Sequence, residues 1–401
     1  MCIIQDDEHD WDQESATMAD VYGNAVVNIA ATNAIDGSVG LFVERSTVRA
    51  SKQIVQTNTD QTYVIQDIYM GSRCLDRTPL SQRAWAFQER YLARRTIHFT
   101  AEQIFCECRY DTVCESFPTG SVGIPNTFPS RDFPLKWGEW NEWRKIVEFY
   151  SRALLTVPKD KLVALSGVAR QFQAKTTDQY CAGLWRKNLE RDLCWRIDRE
   201  YPHQPPIQSI ALQYRAPPWS WACTDRPITF EVKRQDIPVL GEIFHVVGTC
   251  FEALTSDPLG QLVHGHLNIN CGPLLKGSGT SPLFVNGYHF SNPEQKANHT
   301  THRSGIYYSS FDYFFDSESA RVTEDIYLLL IFNNAGLVVT TAKRGCKGRF
   351  IRLGLFEFWA TDRSRYKDLV QMPGATMDEA LYAKILGPDK NGIPQYSIIL
   401  E

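Results

Sequence analysis

The sequence predicts a mixed α+β protein: a strand-helix-strand α/β layer at the N-terminus, a helical segment after it, and a β-rich C-terminal domain. Three observations predict this. Met18, Val21, Tyr22 and Ala25 recur at helical spacing and give way to the apolar, β-branched run 26–31. Helical spacing returns in Trp140, Trp143, Val147, Tyr150 and Leu154. From Pro217 onward the period shortens toward two, with short apolar runs between turn residues.

Taken in order, residues 1–4 read as a strand, and a helix starts at Asp10, with Gln13 three residues on in capping-box spacing. Tyr22-Gly23-Asn24 stops that helix before the strand at 26–31. A strand-helix-strand unit crosses over into a parallel sheet, so further strands are expected beside it. A helix at 82–92 precedes a hairpin of strands 96–100 and 104–109. Residues 118–134 are rich in Pro, Gly, Ser and Thr and read as a linker. The expected division is therefore 1–117, the linker 118–134, a helical region 135–215 and a β-rich domain 216–401. Further helices are expected at 159–172 and 182–195, the second from Leu184, Trp185, Leu189 and Leu193. Trp219 and Trp221 read as one side of a strand, followed by strands at 243–251, 262–270, 326–332, 337–341 and 350–358. Asn333-Asn334-Ala335-Gly336 reads as a hairpin turn and 291–305 as a surface loop.

At roughly 150 residues per domain, 401 residues make two or three domains. The 42 basic and 46 acidic residues leave a formal charge of -4, so neither nucleic acid nor an anionic membrane surface is an expected partner. The opening Met1-Cys2-Ile3-Ile4-Gln5-Asp6-Asp7 lacks a secretory apolar core, and no run reaches the ~18 residues of a spanning helix. A cytoplasmic protein is expected. Its eleven cysteines are scattered and odd in number, which favours thiols over a disulfide frame. Cys106, Cys108 and Cys114 lack the spacing of a zinc knuckle, and Ile104, Cys106 and Cys108 fit one face of a strand. His264 and His266 alternate on a strand with no third ligand at a recognisable spacing, so no metal is expected. Walker, G-x-G-x-x-G and G-x-S-x-G motifs are all lacking.

Several ordered blocks carry a resemblance. Cys2-Ile3-Ile4-Gln5-Asp6-Asp7, Asp10-Trp11, Glu14-Ser15, Met18, Val21-Tyr22, Ala25, Ile29-Ala30-Ala31, Gly40-Leu41-Phe42 and Arg45 are followed by Pro79-Leu80, Arg83, Trp85, Gln88-Glu89, Leu92, Arg95, His98-Phe99 and Glu107-Cys108. Together they resemble the second half of the fungal heterokaryon-incompatibility (HET) domain and its terminal R-x-W-x-x-Q-E block. Ala216-Pro217-Pro218-Trp219-Ser220-Trp221-Ala222 is similar to the region that follows the domain in many relatives. The family pattern begins upstream, with Met1 standing where its preceding strand should run, so an N-terminally truncated member is expected. The resemblance implies a partial TIR-like α/β layer, nonself recognition and programmed cell death in fungi, and protein partners among HET-family or sensor proteins.

A TIR relationship further implies NAD as a substrate, with no bound cofactor, cleaved at its nicotinamide-ribose bond by a carboxylate that steadies the oxocarbenium charge. Glu14 and Glu89 are the candidate catalytic carboxylates. Gln5, Asp6 and Asp7 follow the first strand at the end where ligands collect, and Arg83, Trp85 and Gln88 form the second candidate binding group. Each has a plainer reading. Acids near a helix start answer the macrodipole, Glu89 has Arg83 and Arg94 nearby in sequence, and Trp85 with Gln88 would dock a helix. An inactive member acting through association alone is the remaining alternative.

Overall fold

Helix α1 (Glu8–Asn24) is capped by Asp7, whose Oδ1 accepts from the backbone N–H of His9 at 2.9 Å and of Asp10 at 3.0 Å. The expected cap at Asp10 is thus overruled by an earlier Asp that can satisfy the same orphan donors and adds about one turn of helix. This computed structural model describes residues 7–45, 53–56, 61–65, 67, 69–120, 128–129, 139–198, 214–230, 244–277, 283–285, 288–291, 307–308, 325–332, 335–342, 346–358, 378–390 and 392–401. The expected strand at 1–4, most of the linker at 118–134 and most of the loop at 291–305 lie outside them.

By their internal contacts the residues form two compact units, Met1–Lys175 with Thr255–Gly260, and Thr176–Leu254 with Gln261–Glu401. In the first, β1 (Asn28–Ala30) follows α1, and a hairpin of β2 (Gln53–Gln56) and β3 (Thr62–Ile65) follows β1. That hairpin has no counterpart in the sequence expectations, since four-residue strands carry too little periodicity to read. Next come a wide π-helical turn at Ser72–Asp76 and helix α2 (Ala84–Leu92). The chain then enters β4 (Arg95–Phe99), which runs parallel to β1 with Ala30 opposite His98. This parallel pairing is reached through α2; the expected one, between the strand at 1–4 and the strand after α1, lies outside the described residues. Antiparallel β5 (Ile104–Cys108) and β6 (Thr112–Cys114) complete the order β1-β4-β5-β6.

On β5 the alternation is as expected but the faces have an unexpected content. Phe105 and Glu107 are fully buried, while Ile104, Cys106 and Cys108 form the half-exposed face. On α1, Met18 is buried but Val21 is 42% exposed, so the expected stripe is narrower than drawn. Helix α3 (Glu139–Tyr150) buries Trp143, Ile146, Val147 and Tyr150, and ends before Leu154, which is largely exposed. After a 3-10 turn, Pro158–Lys161, helix α4 (Val163–Thr176) buries Leu165, Val168, Ala169 and Phe172.

The second unit corrects two expectations. Residues 182–195 are not one helix. They hold the turn of a hairpin between β7 (Tyr180–Cys181) and β8 (Leu184–Trp185), then helix α5 (Leu189–Asp192). Ala182 (φ 48°) and Gly183 (φ 94°) both adopt the left-handed region that a two-residue hairpin turn demands. Leu184, Trp185, Leu189 and Leu193 are nevertheless all fully buried, so the pattern marked the core and misled about the element. Trp219 and Trp221, expected on a strand, lie in a turn and the 3-10 segment Trp221–Cys223. The Trp221 indole donates to Gly183 O at 2.8 Å and the Trp195 indole to Trp219 O at 2.8 Å, bonds that shape this segment in place of a ladder.

A small antiparallel pair, β9 (Arg196–Ile197) with β10 (Ile228–Thr229), precedes the large sheet. Its strands are β11 (Phe244–Ala253), β12 (Leu262–Cys271), β13 (Leu275–Gly277), β14 (Leu283–Val285), β15 (Tyr288–Ser291), β16 (Tyr307–Tyr308), β17 (Ile326–Leu330), β18 (Ala335–Thr341), β19 (Arg349–Phe358), β20 (Lys384–Pro388) and β21 (Pro394–Leu400). They run β11-β12-β21-β19-β16-β15-β14, with β13-β17-β18 joined to β19 and β20 to β21. The five strands expected from residue 243 onward are present within a few residues of their predicted bounds. In β11 and β12 a bulge interrupts the ladder: Val246 faces Ile269, but Gly248 faces Asn268.

Candidate functional site

The first unit contains a cavity of about 310 Å³ between the β1/β4 face, the loop at 31–37 and α2. Its lining brings together Arg83, Glu89 and Arg90 from α2 and its cap, Thr96 and His98 from β4, and Thr32 after β1. Helix periodicity aims Ala86, Glu89 and Arg90 at the sheet, and strand alternation aims Thr96 and His98 at the helix.

Beneath it lies a buried charge network. Glu107 accepts from Arg90 Nε at 2.7 Å and Nη2 at 3.1 Å, a bidentate pair, and lies 3.0 Å from His98 Nε2. Arg90 Nη1 donates to Asp76 at 3.0 Å, presented by the π-helical turn, and the guanidinium lies 4.0 Å over the Phe128 ring. Burial works against the Arg90 charge, but the two carboxylates outweigh it and hold its pKa above the ordinary value. His98 Nδ1 stands 3.1 Å from the Thr32 hydroxyl, which also reaches Ala30 O at 3.3 Å. A hydroxyl has one proton to give. With His98 neutral, Nε2–H donates to Glu107 and Nδ1 accepts from Thr32; with His98 protonated, Thr32 turns its proton to Ala30.

Glu89 is half-buried at the cavity wall. Desolvation pushes its carboxyl above the usual glutamate range, with the Tyr22 hydroxyl and the Arg83 charge pulling the other way. Burial and the Glu89 charge likewise push the Tyr22 phenol up. A carboxyl whose acid form is favoured by desolvation at a cavity wall is the arrangement that suits proton donation. A larger opening, about 590 Å³, lies at the other end of β4 and is lined by Arg94, Arg95, Arg109, Asp20 and neighbours. The smaller cavity opens onto the buried charge network and includes Glu89, so it is the better candidate for chemistry.

The other sequence candidates are scattered. Glu14 is half-buried on α1 and is not part of the cavity lining. Asp7 is consumed as the α1 cap, and Gln5 and Asp6 lie outside the described residues. Gln88, expected at a binding edge, is 1% exposed and accepts from the Gly167 N–H at 2.8 Å, which commits it to the contact between α2 and α4. Trp85 meets Trp11 edge to face at 6.2 Å and so docks α1 on α2. Arg83 alone of that group reaches the cavity. His98, Glu107 and Arg90 were not foreseen as site residues; a glutamate on the buried face of β5 was the available signal.

Among the described residues no helix is long and apolar enough to cross a membrane, and the ten described cysteines form no disulfide. No curated protein and no solved structure matches the chain. The family model of the heterokaryon incompatibility protein (HET) matches residues 1–89, a span that holds α1, β1 and most of α2 and ends on Glu89 itself. The N-terminal segment of this chain, residues 1–89, is thus similar to the heterokaryon incompatibility (HET) family.

Proposed function

We propose that the protein acts in fungal heterokaryon incompatibility, with the first unit as the effector of nonself-triggered growth arrest and cell death. The observation that carries this reading is the coincidence of the family match with the cavity: the matched span supplies Thr32, Arg83 and Glu89 to one wall. The test is inducible expression of the chain in a filamentous fungus. Growth should arrest with the wild type and continue with Glu89→Gln at equal protein level. Unaltered growth with both, soluble protein being present, counts against the reading.

Glu89 favours a second, enzymatic reading, cleavage of the nicotinamide-ribose bond of NAD. A carboxyl raised by desolvation can protonate or steady a departing group, and Arg83 lies where a phosphate or ribose oxygen could be held. The volume, at the lower end of the roughly 300–1,000 Å³ of ligand pockets, suits a nicotinamide riboside moiety better than a whole dinucleotide. Purified protein should then release nicotinamide, with activity abolished in Glu89→Gln and retained in Glu14→Gln. Intact NAD after prolonged incubation with folded protein would overturn this reading.

A further inference from the structure

On the outer face of the β11–β12 hairpin, in the second unit, Cys250 lies opposite His266 and Glu252 opposite His264. Phe251, Gly265 and Leu267 between them turn inward, Phe251 meeting Trp219 at 6.0 Å, so the four polar side chains share the solvent side. The donor atoms of Cys250, His264 and His266 all lie within 4.8 Å of one another. The two imidazoles are nearly parallel, 6° apart with centroids at 6.4 Å, and the Glu252 carboxylate stands 3.1 Å from His264 Nδ1.

We propose that Cys250, His264 and His266 form a zinc site on this hairpin, with Glu252 as the positioning residue for His264. One thiolate and two imidazoles are the donor types that Zn²⁺ selects over hard cations such as Ca²⁺ and Mg²⁺, which take oxygen. Bond lengths of about 2.3 Å to sulfur and 2.0 Å to nitrogen put tetrahedral donors roughly 3.5 Å apart, so the present spacing closes by about 1 Å through rotamer changes. Cys250 and His264 are exposed and His266 is half-buried, which leaves room for that change. A carboxylate on the far nitrogen of a ligating histidine fixes its tautomer and strengthens it as a ligand. The fourth position is left to water. As the zinc-sulfur bond forms, the thiol proton passes to solvent, so binding weakens in acid. All four residues belong to one hairpin, and no other segment is needed to assemble the site.

The test is titration of the chelator-treated full chain with Co²⁺, followed by displacement with Zn²⁺. One equivalent should bind with a thiolate-to-cobalt charge-transfer band and tetrahedral d–d absorption, and zinc should abolish both. Cys250→Ser should lose the charge-transfer band and bind at least tenfold more weakly. His266→Ala should bind at least tenfold more weakly, and Glu252→Gln about 10–100-fold more weakly, the scale for partners behind a ligand. Cys346→Ser, at another exposed cysteine, should match the wild type. A folded wild type with no charge-transfer band, or a Cys250→Ser variant that binds as tightly as the wild type, overturns the proposal.

Discussion

Glu107 and Arg90 are joined by two hydrogen bonds, at 2.7 and 3.1 Å, with Glu107 fully buried and Arg90 almost so. The pair fastens α2 to β5 directly under the cavity. Removing Arg90 leaves the Glu107 carboxylate in the interior without its bidentate partner. Arg90→Ala should therefore destabilise the first unit by about 3–5 kcal/mol, seen as a lower urea midpoint. A loss below about 1 kcal/mol would mean that solvent reaches the pair.

The raised Glu89 carboxyl sets a pH dependence whose sign can be worked out. A folded pKa above the unfolded one contributes stability that is present below the ordinary glutamate range and lost as pH rises through the folded value. Above the folded value the wild type carries the desolvated carboxylate at a cost. Glu89→Gln should be the more stable protein at pH 7, and the gap in melting temperature should close as the pH falls below about 4.5, the ordinary glutamate value. A gap that widens in acid contradicts the desolvation account.

Gly167 is where α1 and α2 approach α4. A Cβ there would sit 2.7 Å from Ala19 Cβ and 2.7 Å from Gln88 Oε1. Gly167→Ala should cost about 1–3 kcal/mol by overpacking, despite alanine's better helix propensity. Denaturant unfolding decides between the two effects, since propensity alone would make the variant more stable.

In the second unit Arg352 is 1% exposed, with its guanidinium 3.7 Å over the Trp195 ring and its nitrogens donating to Leu193 O at 2.5 Å and Trp195 O at 2.6 Å. Lysine keeps the charge but not the planar fork. Arg352→Lys should cost about 1.5–3 kcal/mol, read as faster amide exchange in β19 and α5. Exchange as slow as in the wild type would show that charge alone suffices.

Legibility followed periodicity. Helices α1 to α4 and the long strands of the second unit declared themselves because their apolar residues repeat over nine residues or more. Where repeats were shorter, 182–195 read as a helix although Ala182 and Gly183 make a turn, and β2–β3 did not register. Glu89 stood out by its motif, whereas Glu107, Arg90 and His98 are brought together by strand pairing and helix packing across seventeen residues of chain.

What the sequence by itself determined is the set of apolar periods and the resemblance of its N-terminal segment to the HET family, because each is written in neighbouring residues. Which polar residues meet was decided in three dimensions. Between Val246 and Gly248 one extra residue shifts the ladder, so that Cys250 faces His266 instead of Gly265 and joins the histidines on the outer face. A strand changes face with every residue, and a single bulge therefore reassigns every side chain beyond it.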